Sequence, residues 1–314
     1  MQHLLKMLPD LIKAAIAPST RQKYEKAWNS WCKFCVSHSI VALPADPFCI
    51  ALYFNNLLHS QAKRGAINDA FYGIRWGHHS AGCFSPTDHP FVKLALDGAL
   101  RLTEYTGSRR KDPMTSHMIK TLVKMYYNEP YNLSKIRFLV ICILGFCGFM
   151  RISELLELKI KDLSFYEEYM TIFLKESKTD QLREGNIIYI SKTFTKNCPV
   201  NLTKHYISLA GLKSNDYLIA KLIRVKRGYK MDGSEHLSYS RTREIFLQFT
   251  EPVSSGLSLG LHSLRSGGAS AAAENNVSDR LISKHGRWSS ERARDGYIAD
   301  STQNRLKVSR QLGL

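Results

Sequence analysis

The run FLVICILGFCGFM, 13 residues at positions 138–150, constrains this chain more than any other stretch. A helix that is apolar on every face must be covered on every face, by protein or by lipid. Spanning a bilayer takes about 20 such residues. The run therefore predicts a buried helix, not a membrane span, and it ends abruptly at the charged segment RISELLELK, which Arg151 opens.

Helical patterns cover 116–127 and 134–148, and the second takes in most of the run. Further on, YMTIFLKES and GNIIYISK alternate apolar and polar residues well enough for a β pair, with KTDQLRE as the connecting turn. Helical patterns resume at 203–209, 215–225, 240–249, 263–274, 278–285, near 291–297, and at 302–312. The expected fold class is mainly α with a small antiparallel β-sheet.

A chain of 314 residues exceeds the usual domain size, so two domains are expected. Ser19, with Gln22 three residues on and Pro18 before it, predicts a capped helix start, and that helix runs to about residue 37. LPADPF breaks it, and three more helical patterns follow, so the first hundred residues read as a compact all-helical bundle. TGSRRKDPM at 106–114 has the polar, basic composition of a linker. The expected division is 1–105, a linker at 106–113, and 114–314.

Lysine and arginine number 44 against 27 acidic residues, a net charge of +17 that favours a polyanionic partner such as nucleic acid. Ribosomal and membrane-surface proteins share that signature. The amphipathic N-terminus carries Asp10 and lacks a small-residue cleavage site, against a secretory signal. Seven cysteines without framework spacing point to reduced thiols inside a cell. Cys32 and Cys35 form a CxxC, but Tyr24, Trp28, Trp31 and Cys35 fall at helical spacing, and no second CxxC completes a metal site. His78, His79, Cys83 and His89 are equally loose in spacing.

Three separated segments carry chemistry when read together: GFMRISELLELK, the KESKTDQ turn, and HSLRSGGAS followed by HGRWSSERARDGY. They hold Arg151, Lys178, His262, Arg265, Trp288 and Tyr297 in that order. The pattern resembles the tyrosine recombinase and phage integrase family, whose catalytic set is Arg, Lys, His or Lys, Arg, His or Trp, and Tyr. The helical bundle, with STRQKYEKAWNSWCKFC, looks like that family's core-binding domain, and 114–314 like its catalytic domain. The wording LRSGGAS, HGRW and DGYIADS looks most like recombinases of eukaryotic mobile elements of the DIRS, Ngaro and Crypton types.

The resemblance implies a site-specific recombinase or transposase that cleaves DNA through a 3′-phosphotyrosyl link, for integration or excision of a mobile element. Tyr297 would be the nucleophile. Attack on a phosphodiester gathers negative charge on the nonbridging oxygens, and fixed cationic donors stabilise it. Arg151 and Arg265 suit that task, because a guanidinium stays charged and donates in parallel to phosphate oxygens. His262 would take the phenolic proton; the alternative is that a histidine ahead of an SLR helix start only caps and packs. Lys178, on the turn, would protonate the departing 5′-oxygen, with Lys175 the competing choice. Trp288 would donate its indole N–H to phosphate. Glu154 would hold Arg151 or His262 in place. No metal, nucleotide or other cofactor need be invoked.

The implied partner is double-stranded DNA, clamped between the two domains. Lys63, Arg64, Arg109, Arg110, Lys111, Lys226, Arg227, Lys230, Arg241 and Arg243 are candidate backbone contacts, each equally readable as a solvated charge. Assembly from homodimer to homotetramer on DNA is implied, with the basic C-terminal helix docking on a neighbouring copy or on its own domain. The subgroup implies a nuclear protein, and otherwise a cytoplasmic one. Two rivals remain: a type IB topoisomerase, which cleaves without synapsis, and a domesticated DNA-binding protein that keeps the fold without the reaction.

Overall fold

The computed structural model describes residues 1–103, 111–127, 132–175, 185–225 and 228–312. The chain divides into two compact units, Met1–Ser108 and Arg109–Leu314. The described residues are mainly helical with small antiparallel sheets, as the sequence patterns predict.

The first unit consists of α1 (Gln2–Ala14), α2 (Pro18–Ser37), α3 (Pro47–His59), α4 (Arg64–Ser80), a 3₁₀ turn at Pro86–Asp88, and α5 (Pro90–Leu102). Helix α2 begins two residues earlier than a Ser19 cap would place it. Pro18 takes its first turn after Ala17, and no side chain caps it, so the Ser19–Gln22 box does not form the start. A proline fits that position because its φ is preset and the amide hydrogen it lacks would have no helical partner. Helices α2 and α4 approach closely through glycine: a Cβ at Gly73 would lie 2.6 Å from the Ala27 Cβ, and one at Gly77 would lie 2.2 Å from the Trp28 ring. Trp31, Cys35, Ile50, Phe54, Ile67 and Ile74 fill the core. Cys35 is thus a core residue, as its helical spacing predicts.

His78 is fully buried in this bundle. Its Nδ1 is 2.8 Å from the Ile74 carbonyl and its Nε2 accepts the Ala45 amide at 2.9 Å. Both nitrogens are therefore committed to the neutral ring, and burial holds the pKa below its ordinary value, against the pull of the Ile74 bond. A lowered folded pKa means that the unfolded chain takes up the proton first. His78 therefore contributes stability that is fully present above about pH 6.5 and declines as pH falls through that value toward the folded pKa. Protection of the Ala45 amide from hydrogen exchange, measured between pH 7.5 and 5.5, should begin to fall as the pH drops below about 6.5.

The second unit comprises α6 (Ser116–Tyr126), α7 (Leu133–Cys147), α8 (Ile152–Leu156), a 3₁₀ turn at Ile160–Asp162, β1 (Leu163–Phe165), β2 (Tyr169–Leu174), β3 (Asn186–Ser191), α9 (Pro199–Ala210), β4 (Ala220–Val225), β5 (Gly228–His236), α10 (Tyr239–Ser254), α11 (His262–Glu274), α12 (Asp279–Gly286), α13 (Glu291–Asp295) and α14 (Thr302–Arg310). The apolar run forms most of α7, and every residue from Ile136 to Gly145 is buried. No described helix is long and apolar enough to cross a membrane.

Strands β2 and β3 pair antiparallel, with Ile172 opposite Ile188. β1 adds a third strand on the free edge of β2, out of a segment that shows no clear strand pattern in sequence. The region 215–225, expected to be helical, is instead a turn leading into β4, which pairs antiparallel with β5. Leu218, Ile219 and Ala220 are consecutive and fully buried. A short apolar run covered on both faces has no period that separates strand from helix.

Helix α11 is set against the core by missing side chains. A Cβ at Gly267 would stand 2.0 Å from the Met114 carbonyl oxygen, and one at Gly268 would stand 2.1 Å from that of Phe146. A Cβ at Gly145 of α7 would come within 2.9 Å of the Leu264 side chain. These contacts fix the helix that carries His262 and Arg265 against the turn that carries Arg151.

Candidate active site

The buried helix α7 ends at Cys147, and the chain turns through Gly148, Phe149 and Met150 before Arg151. Phe149 has φ of 45°, a left-handed conformation rare for a residue with a bulky side chain. Arg151 then caps α8, and Glu154 folds back to accept the Arg151 amide at 2.9 Å and its Nη1 at 2.6 Å. Glu154 also accepts Nη2 of Arg287 at 2.7 Å. Arg151, one of the two partners expected for Glu154, hydrogen-bonds to it. Arg287 is a partner that the motif reading missed.

His262 is the first residue of α11 and Arg265 lies one turn later, so the two share a face. They differ in depth: His262 is exposed and Arg265 fully buried. Arg265 donates to the Phe149 carbonyl through Nη1 and to the Gly286 carbonyl through Nη2, the latter at 2.7 Å. Its Cζ lies 4.7 Å from the Trp288 ring centroid and 4.8 Å from that of Tyr297. The two rings are 5.2 Å apart. Arg265 thus forms the floor on which Trp288 and Tyr297 rest.

Trp288 reaches this place because Gly286 precedes it by two residues. A Cβ on Gly286 would lie 2.1 Å from the Trp288 ring. The short α13 and Gly296 then return the chain so that the half-buried Tyr297 packs beside Trp288. His285 directs Nε2 at the Cys147 carbonyl at 2.7 Å and sets its ring edgewise against Phe149.

Arg151, His262, Trp288 and Tyr297 line a single pocket of about 580 Å³. Tyr239 and Ser289 line it too, and neither stands out in the sequence motifs. Lys178 falls at 176–184, outside the described residues. Its competitor Lys175 is exposed and sits 3.4 Å from Asp162. Of the candidate DNA contacts, Arg109, Arg110, Lys226 and Arg227 also lie outside the described residues. Lys63 and Arg64 are exposed at the start of α4, Lys230 is exposed on β5, and Arg243 is exposed on α10. Lys111 donates to the Ser258 hydroxyl at 2.8 Å, and Arg241 pairs with Glu244 at 2.9 Å.

The site carries an excess of positive charge. Arg151, Arg265 and Arg287 surround one carboxylate, Glu154. Burial lowers the Arg265 pKa to about 10, with repulsion from Arg151 and Arg287 adding to the effect and Glu154 and Tyr297 opposing it. Burial also lowers that of Arg287, against the opposing attraction of Glu154. Nε of Arg265, Nε of Arg287 and Nε1 of Trp288 are buried donors without an acceptor among the described residues. Cationic, donor-rich and beside a half-buried phenol, the pocket suits a phosphate group.

Residues 112–304 match the model of the phage integrase family. The chain is similar to an integrase/recombinase XerD homologue of Selenomonas ruminantium, 28% identical over 289 residues that cover 90% of this chain and 82% of that protein. Its fold is similar to that of a Tn1549 transposon integrase in complex with transposon right end DNA (TM-score 0.61, 13% identity, 95% of each chain). It is also similar to a lambda integrase dimer bound to a core site (TM-score 0.56, 16% identity, 96% of this chain and 77% of that one). The family match spans well over half of the chain and contains Arg151, Glu154, His262, Arg265, Arg287, Trp288 and Tyr297, so the chain belongs to the phage integrase family of tyrosine recombinases.

Proposed function

We propose that this protein is a site-specific DNA recombinase that integrates or excises a mobile element, cutting and rejoining strands through Tyr297. The carrying observation is the convergence of Arg151, His262, Trp288 and Tyr297 on one pocket, with buried Arg265 beneath the nucleophile. In this reading the Tyr297 oxygen attacks the scissile phosphorus, forming the Tyr–O–P bond as the P–O5′ bond breaks. His262 accepts the phenolic proton and Lys178 supplies one to the departing 5′-oxygen. The phosphodiester is conserved as a 3′-phosphotyrosyl link, so the reverse attack by a 5′-hydroxyl rejoins DNA with no added energy source.

DNA as substrate is supported by the net charge of +17 and by two structural neighbours, the Tn1549 and lambda integrases, which are DNA complexes. A mobile-element role is supported by the transposon origin of one neighbour and by the LRSGGAS, HGRW and DGYIADS wording. Assembly of two to four copies on DNA is supported by α14, where Leu306 and Val308 are exposed on a helix too short to be stable alone.

The test is covalent capture. The full chain is incubated with nicked duplexes, selected from a randomised pool for binding, and the products are run under denaturing conditions. A DNA adduct whose peptide contains Tyr297, together with strand exchange between two duplexes, is the expected result. Supercoil relaxation without exchange would indicate topoisomerase-type cleavage, and binding without any adduct would leave a DNA-binding module.

A further inference from the structure

Arg287 stands in a conformation that its side chain does not favour, and its guanidinium hydrogen-bonds to groups on both sides of the site. It ends α12 with φ of 59°, in the left-handed region that disfavours a Cβ. Strained backbone of this kind persists where the surroundings over-determine it. Its guanidinium, 4% exposed, donates to the carbonyls of Gly148 at 3.3 Å, His285 at 3.0 Å and Phe149 at 3.2 Å, and to Glu154 Oε2 at 2.7 Å.

Two of these acceptors are shared. Glu154 also holds Arg151, and the Phe149 carbonyl also accepts from Arg265. Arg287 therefore touches the anchors of both other arginines while not itself lining the pocket. We propose that Arg287 is a positioning residue: it clamps Glu154 so that the carboxylate presents Arg151 to the pocket, and through the Phe149 carbonyl it locks the Arg151 turn to Arg265. What that positioning serves rests on the DNA-cleaving reading above. A lysine cannot replace it, because a single ammonium lacks the planar fork that spans a carboxylate and several carbonyls.

The test uses Arg287→Gly, which suits the left-handed backbone, and Arg287→Lys, both in the full chain. In nitrogen-detected NMR of the arginine side chains, with Arg151→Lys for assignment, the Arg151 guanidinium should rotate slowly in the parent and freely in Arg287→Gly. Unchanged Arg151 signals would overturn the proposal. Adduct formation on ordinary duplex should fall about 100-fold in Arg287→Gly, the scale of a displaced reactive group, with Arg287→Lys recovering little. On a methylphosphonate duplex of the same sequence, which carries one fewer charge at the scissile phosphorus, the loss should be much smaller. Equal losses on both substrates, or losses that follow the unfolded fraction, would make Arg287 merely structural and overturn the proposal. A parent that gives no adduct on either DNA would sink the recombinase reading, and the Arg151 signals would then decide the positioning role by themselves.

Discussion

A Tyr297→Phe chain is expected to bind DNA and unfold as the parent does, and to form covalent adducts roughly 10⁶-fold more slowly, the scale at which an enzyme loses its nucleophile. The substitution removes one oxygen and keeps the ring. That ring packs beside Trp288 with centroids 5.2 Å apart and lies 4.8 Å from the Arg265 Cζ. A phenyl face attracts a guanidinium as a phenol does, so the floor under the pocket survives. Tyr297→Ala should behave differently. It withdraws the ring from Arg265 as well as the hydroxyl, and its unfolding midpoint should drop along with its activity. Tyr239 supplies the critical comparison, because it lines the same pocket with a second phenol. Tyr239→Phe should retain adduct formation, and an adduct peptide containing residue 239 in the Tyr297→Phe chain would show that the nucleophile has been misassigned.

The elements that were legible in the sequence are those whose pattern and environment have one period. The run at 138–150 could only be a covered helix, and residues Ile136 to Gly145 of α7 are buried throughout. YMTIFL and NIIYIS alternate because one face of their sheet is covered, and they pair as expected. The segment 215–225 misled for the opposite reason: Leu218, Ile219 and Ala220 are buried on all sides, which leaves no alternation to read. The pocket follows the same logic. Arg151, His262, Arg265, Trp288 and Tyr297 are visible through their order and spacing. Arg287 is not, since one more arginine in a chain with 44 basic residues carries no signal. Its role depends on the positive φ angles at Phe149 and Arg287 itself, which turn carbonyls and guanidinium toward each other and which no residue preference announces.

The charge balance of the site gives the second large expectation. Glu154 is 7% exposed and binds Arg151 and Arg287 at once, so Glu154→Gln leaves three guanidiniums together with no carboxylate among the described residues hydrogen-bonded to them. Removing one member of a buried ion pair costs about 3–5 kcal/mol, because the charge left behind has lost both its water and its partner. The variant should therefore unfold at lower temperature by that amount of stability. An anion that binds the native cluster and not the unfolded chain should restore part of it. With Glu154 present the cluster carries three positive charges against one negative; without it, all three stand unopposed, and the same anion should bind more tightly. Sulfate mimics a phosphate in charge and shape, but it also stabilises proteins generally by exclusion from their surface. The informative quantity is thus the difference between parent and Glu154→Gln midpoints, measured as sulfate replaces chloride at constant ionic strength. That difference should shrink as sulfate rises, and shrink further with duplex DNA. A difference that stays constant would mean that the arginines are satisfied within the fold and do not form a site for the phosphate of a substrate.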